Sequence, residues 1–281
     1  MGASGSVTAQ GLGRARRAAK GPAVAMAARA GFAGRGVLYL LIGFLALRIA
    51  FADGGGKQAD RTGAVAEIAE KPFGMGLLWL LGVAVAGMAV WRLSEGAFGQ
   101  AGPDGRKASK RAMAAGRCVF YGFVAYSVLS FAGGEKSSGG TSSDESSKDV
   151  TAKALEWPHG QWIVGAAGLA VAAAGVWIAV RAVLRTFHKH LKMSELSSRA
   201  RKCVDLLGVF GGTARGVVFT VAGAFAVTAA VRHEPGRAKG MDDTLRSFTD
   251  TPAGPWLLVL IAAGLVAFGF FSWTNAKWRK V

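Results

Sequence analysis

Half of this 281-residue chain is hydrophobic, 51% by composition. Its apolar residues are gathered in blocks long enough to cross a bilayer, which excludes a soluble domain folded around one core. The net charge of +17 does not point to nucleic acid, because it alternates by segment: the N-tail, 92–117, 181–215 and the C-tail hold 23 Lys/Arg and 4 acids, while 53–71, 133–157 and 232–251 hold 10 and 13. That is the positive-inside pattern of a multi-pass protein with both termini cytoplasmic.

In chain order, residues 1–27 form a basic tail with no apolar stretch ahead of a cleavage site, so no removable signal peptide is expected. A helix needs about 20 mostly apolar residues to span. Six blocks qualify, at about 35–52, 73–93, 113–132, 159–180, 208–231 and 255–275. Arg48 interrupts the first near its outer end, where its long side chain reaches the headgroups. The Gly/Ser-rich, acidic stretch 133–152 predicts a flexible outer loop. Between the fourth and fifth blocks, Leu184, Phe187, Leu191 and Leu196 recur among many bases, which predicts a basic amphipathic helix on the inner leaflet.

The blocks come in repeated pairs. "GRGVLY" (Gly34–Tyr39) returns as "GRCVFY" (Gly116–Tyr121) and "ARGVVF" (Ala214–Phe219). Glu70-x-Pro72-x-Gly74 returns as Glu156-x-Pro158-x-Gly160 and Asp250-x-Pro252-x-Gly254. From marker arginine to proline is 37, 41 and 37 residues, so the middle copy has the longer outer loop. An aromatic, Trp91, Trp177 or Phe271, follows each proline by 19 residues. Each copy crosses twice, so the copies share one orientation. The division is a tail (1–27), repeat 1 (28–98), a basic linker (99–111), repeat 2 (112–184), the basic amphipathic interfacial segment (185–207) and repeat 3 (208–278). The predicted fold is all-α: a polytopic membrane protein of the cell membrane, with six transmembrane helices as three parallel two-helix repeats in a pseudo-threefold bundle.

This arrangement resembles the bacterial, mainly actinobacterial, membrane family catalogued as domain of unknown function 1206. That family has three copies of a helix-pair domain with a similar arginine-glycine start and proline-x-glycine motif. The resemblance runs from about Ala28 to Trp278. Repeats 1 and 3 match well; repeat 2 departs, with Cys118 in place of glycine and a Ser-rich loop. It implies a fold and carries no activity or site residue.

The acid-x-proline-x-glycine motif has a structural reading. Proline suits the first helical position, glycine permits close backbone approach, and an acid ahead of a helix complements its dipole. Pro72, Gly74, Pro158, Gly160, Pro252 and Gly254 are therefore read as helix starts. Glu70, Glu156 and Asp250 are a candidate outer acidic ring, of the kind that selects cations in channels. Arg35, Arg117 and Arg215 are a candidate inner basic ring, either anchoring helix depth or binding an anion or anionic headgroup. A small-residue stripe, Gly168, Ala172, Gly175 and Ala179, has counterparts in Gly82, Ala86 and Ala89 and in Ala262, Val266 and Gly269. Small residues let helices approach closely in lipid, so these even helices are expected to pack through those faces, with one another at the centre.

Cys118 and Cys203 stand in no metal-ligand spacing and are expected as reduced thiols. In "FHKHLK" the histidines are two apart and share no helical face. No phosphate-binding glycine loop, nucleophile elbow or H-E-x-x-H occurs. No catalytic residue, metal or cofactor is expected, and the chain is not read as an enzyme. The expected partner is the bilayer, with anionic headgroups at the basic inner face and no nucleic acid; no protein partner is indicated. The expected role is structural, lipid-interacting or partner-binding. The alternative is a small-solute or ion transporter or channel using acidic outer and basic inner rings.

Overall fold

A computed structural model of the chain describes residues 21–51, 58–99, 107–134, 143–251 and 254–280. Six helices are long and apolar enough to cross a membrane: α1 (Pro22–Phe51), α3 (Gly74–Phe98), α4 (Ala108–Ala132), α6 (Gly160–Val183), α7 (Ser198–Arg232) and α9 (Gly254–Trp278). Three short helices, α2 (Arg61–Ala69), α5 (Ser143–Leu155) and α8 (Met241–Arg246), each precede the second span of a repeat. The spans are apolar on most of their circumference because one side meets protein and the other lipid. Exposed Trp157, Trp162 and Trp256 stand where α6 and α9 begin, as interfacial anchors do. Phe32 of α1 lies against Arg279 beyond α9, so both described chain ends share one side, here termed the basic end. The short helices cover the opposite, acidic end.

The repeats are held to one another more than within themselves. Extensive contacts pair α3 with α4, α6 with α7, and α9 with α1: the second span of one repeat with the first of the next. Within repeats 1 and 3 the two spans also touch. In repeat 2, α4 and α6 are not packed against each other. The result is a pseudo-threefold ring with one open seam. Five spans feed a shared core through Leu45, Leu78, Val128, Ala214 and Leu265; α6 contributes no buried side chain to it.

The small-residue stripe sets the tight pairs. A Cβ added to Gly175 of α6 would stand 2.5 Å from the Thr220 nitrogen of α7, and one on Gly168 would stand 2.8 Å from that of Val227. The α9–α1 pair repeats this, with Gly43 against the Ala262 carbonyl and Val266. Gly82 of α3 instead receives Leu129 of α4. The even helices thus do not meet at a common centre. Each meets the odd helix of the following repeat, which presents its own small residues, Gly216 and Gly223 or Gly36 and Gly43, to the same groove.

The proline motif is also built differently from its expectation. The spans α3 and α6 begin at the glycine, two residues after proline, and Pro72 and Pro158 lie in the turn; Pro252 falls outside the described residues. Phe73 and His159 occupy left-handed backbone, at φ 61 and 64, to reverse the chain. In repeat 3 the left-handed residue is Gly254 itself, at φ 47. Gly74 and Gly160 admit no side chain, because the last carbonyls of α2 and α5 would touch its Cβ. Glu70 is the C-cap of α2. The short helix runs straight into the turn, which moves the acid off the span.

Two further expectations change. The second half of 133–152 is helical, as α5, while 135–142 fall outside the described residues. The 185–207 segment is not one surface helix. Residues from Ser198 onward are the first turns of α7, and 186–195 form two 3₁₀ turns folded across the end of α9. There Lys192 N–H donates to the Trp278 carbonyl at 2.9 Å and Lys280 N–H to that of His190 at 3.0 Å. Leu191 and Leu196 are buried with Phe268, Phe271 and Val204, so the apolar side faces protein instead of lipid.

Replacing Gly175 by Leu is expected to lower the thermal unfolding midpoint in detergent, at a cost of about 1–3 kcal/mol from overpacking. Gly116→Ala and Gly122→Ala, whose added Cβ meets nothing within 4 Å, are expected to leave the midpoint unchanged or raise it.

Candidate functional site

The three repeat arginines lie about 24 Å along their helices from the acidic end, by a helical rise of about 1.5 Å per residue. That depth is near the basic edge of a hydrocarbon layer roughly 30 Å thick. Arg35 Nε donates to Ser272 Oγ at 3.1 Å, and the same guanidinium stands 4.8 Å from the Phe32 ring and 5.2 Å from Phe268. Arg215 also lies over Phe268, 5.0 Å from its ring, with Tyr39 and Phe219 beside it. Arg279 lies 4.9 Å from Phe32 and 5.1 Å from Trp91, and Arg92 lies 4.1 Å from Trp91. A ladder results: Arg215, Phe268, Arg35, Phe32, Arg279, Trp91, Arg92. Arg117 lies within electrostatic reach of Arg92, Glu95, Arg215 and Tyr121. Tyr121 lies within electrostatic reach of Arg35, Arg215 and Arg92.

Glu95 accepts from Arg92 at 2.5 Å and lies within electrostatic reach of Arg117 and Arg279. Arg92 is 4% exposed, yet among the described residues its Nε has no hydrogen-bond partner; the buried Nε atoms of Arg215 and Arg279 have none there either. Burial, then the nearby Arg92 and Arg35, pull Arg279 down to about 9, opposed by Glu95; it remains charged at neutral pH. His190, in the segment over α9, is pulled down to about 4 by burial and then by Arg279, Arg181, Arg92 and Arg117.

Magnitudes show what the rings offset. Arg35 and Arg215 share one ring, so they stand no more than about 10 Å apart and repel by about 1.6 kcal/mol or more at an effective dielectric of 20. The same bound holds for Arg35 with Arg279 and for Arg279 with Arg92. A cation over a ring returns about 0.5–1 kcal/mol, or about 2 when desolvated. The rings therefore balance the repulsion but not the several kcal/mol that desolvating each ion costs.

The sequence markers found three of these arginines and missed Arg92, Arg279, Glu95, Tyr121, Ser272 and Asn275. A signal was present. Arg92 and Ser272 both follow the repeat proline by 20 residues, one past the aromatic marker, and Glu95 and Asn275 follow by 23. Asn275 accepts from Arg279 at 3.2 Å. Repeat 2 carries Ile178 and Arg181 at these positions, so the polar lining comes mainly from repeats 1 and 3.

The other candidates lie elsewhere. Glu70, Glu156 and Asp250 are exposed, each beyond the end of a different short helix. Arg48 reaches Glu67 of α2 at 4.0 Å. Among the described residues, the carboxylates that gather within 4.8 Å are Asp144, Asp242 and Asp243. Asp242 accepts from Ala59 N–H at 2.6 Å and Arg246 at 2.8 Å; Asp144 accepts from Asp243 N–H at 3.1 Å; Lys148 pairs with Asp243 at 2.8 Å. These bonds tie α5 and α8 to the chain just ahead of α2 and already occupy the carboxylates. Burial, then Asp243, Asp242 and Asp60, push Asp144 up from 3.8 to about 6, against the hydrogen bond from Asp243 N–H.

The family model of Domain of Unknown Function (DUF1206) matches residues 30–99, 112–185 and 210–279. The chain belongs to this family. The three matches are the three helix pairs, so the arginine cluster of this DUF1206 protein is assembled from all three copies. A Bacillus subtilis (strain 168) protein, "Uncharacterized protein YxxB", is 26% identical over 259 residues, covering 90% of this chain and 92% of that one. No solved structure matches the chain.

Two outcomes follow for stability without added ligand. Glu95→Gln leaves the arginines without their carboxylate and is expected to cost about 3 kcal/mol, as breaking a buried pair does. Arg92→Met removes one cation while Glu95 keeps Arg117 and Arg279 within reach, so its thermal unfolding midpoint is expected to fall less. Asp144 has a folded value above its unfolded one. Its contribution is complete below about 3.8 and lost as pH rises through about 6. Unfolding midpoints measured from pH 4 to 7 are expected to show this decline, flattened by Asp144→Asn, which keeps the acceptor for Asp243 N–H.

Proposed function

We propose that this protein lies in the cell membrane with its basic end toward the cytoplasm, and that it binds a phosphate-bearing anion in the arginine cluster. Its role on this reading is lipid-interacting or structural, and not catalytic. The single observation that carries it is the set of buried Nε donors on Arg92, Arg215 and Arg279 that have no partner among the described residues. Buried donors and charges stay unpaired only at a cost of several kcal/mol. Guanidinium groups suit phosphate because their planar fork donates two parallel hydrogen bonds to it. Orientation rests on the segregation of basic and acidic segments.

The transport reading needs a second charged constriction. Glu70, Glu156 and Asp250 stand exposed at separate helix ends, which favours the binding role.

Total phosphorus measured after exhaustive exchange into an uncharged detergent tests the binding role without regard to ligand source. The wild type is expected to retain phosphate in stoichiometric amount, and the Arg92→Gln/Arg279→Gln variant to lose it. Phosphorus absent from both proteins, or retained equally by both, would contradict the reading.

A further inference from the structure

We infer that the anion in the cluster is the headgroup of a phospholipid, received sideways from the bilayer through the seam between α4 and α6. This rests on the anion-binding role above and adds the ligand's class and its route.

Among the described residues, the end of α9 is covered from water at the basic end. The 186–195 segment crosses the end of α9, joined by Lys192 to Trp278 and by Lys280 to His190, with Leu191 and Leu196 buried beneath it. Access from the side is not covered. The spans of repeats 1 and 3 pack against each other, while those of repeat 2 do not. Repeat 2 also has the longest of the three short helices, 13 residues against 9 and 6. Along α4, Val119, Phe120 and Phe123 are exposed; along α6, Val176, Val180 and Val183 are exposed. On the inferred route, exposed apolar side chains of this kind accept acyl chains and reject hydrated ions.

The foot of the seam is basic. Arg117 comes from α4 and Arg181 from α6, and His190 lies within electrostatic reach of both as well as of Arg92 and Arg279. Positive charge is therefore continuous from the seam to the buried donors. A lipid phosphate following it leaves its chains between α4 and α6 and brings its oxygens to Arg92, Arg215 and Arg279. Among the described residues of the cluster, five arginines outnumber Glu95 by more than a single phosphodiester neutralises. The fit is to a headgroup with two negative charges, a phosphomonoester or paired phosphodiesters.

The test uses the full chain in nanodiscs of phosphatidylcholine with a minor share of phosphatidic acid. Retained lipid is counted by native mass spectrometry after transfer to uncharged detergent, with sn-glycerol 3-phosphate as a water-soluble competitor carrying the same phosphomonoester. The wild type is expected to retain phosphatidic acid over phosphatidylcholine and not to release it to the competitor. Arg117→Gln/Arg181→Gln is expected to lower retention about 30-fold, the effect of two basic contacts. Arg199→Gln/Lys202→Gln removes the same charge from exposed positions on α7 and is expected to change little. Release of the lipid by glycerol 3-phosphate would overturn the lateral route while leaving anion binding intact. Equal losses in the two double variants would overturn the seam in favour of general surface charge. Retention of neither lipid nor glycerol 3-phosphate would remove both readings. The wild-type competition decides the route even if a double variant fails to fold.

Discussion

The constraint around which the basic half of this protein is arranged is the repulsion among arginines gathered over shared aromatic rings, with Glu95 paired to Arg92. Charges of one sign are not brought together under a membrane edge unless something opposes them. Here aromatic faces are interleaved with the guanidinium groups, so each ring serves two cations: Phe268 for Arg35 and Arg215, Phe32 for Arg35 and Arg279, Trp91 for Arg279 and Arg92. The rings hold the cations in place without hydrogen-bonding them. The buried Nε donors of Arg92, Arg215 and Arg279 therefore remain without partners among the described residues, which is what the proposed anion would satisfy.

The repeat architecture explains how the cluster is assembled and why it is lopsided. Three hairpins with one orientation bring three marker arginines to one level. Close contact between α9 and α1, through Gly43 and Ala262, brings the end of repeat 3 beside the start of repeat 1. That junction carries Arg35, Ser272, Arg92 and Arg279. Repeat 2 contributes Arg117 and Tyr121 from α4, while α6 stands apart on α7. The same departure that weakens its likeness to the other copies, Cys118 in place of glycine and a longer loop, falls in the copy that leaves the seam open.

The span positions, the repeats and the marker arginines were legible in the sequence because they are local: hydrophobic blocks, fixed spacings and short motifs. The partners of those arginines were not. Arg92 and Glu95 lie at the end of an apolar block and read as loop charges until α3 is seen to continue to Phe98. Arg279 reads as tail charge until the 186–195 segment is seen to pair with it across the end of α9. The proline motif misled for a related reason. Proline favours the first helical position in general, but here a short helix ends at Glu70 and the turn occupies the proline, so the span starts at Gly74. Leu191 and Leu196 have the spacing of a surface helix, and only the tertiary neighbours Phe268 and Phe271 show that protein, not lipid, covers them.

The arginine cluster and its seam would be seen in a density map of the full chain in a bilayer, at a resolution that separates side chains. A tetrahedral density among Arg92, Arg215 and Arg279, continuous with acyl-chain density between α4 and α6, is expected. Guanidinium groups turned out to water, or paired with further carboxylates and with no density between them, would contradict it.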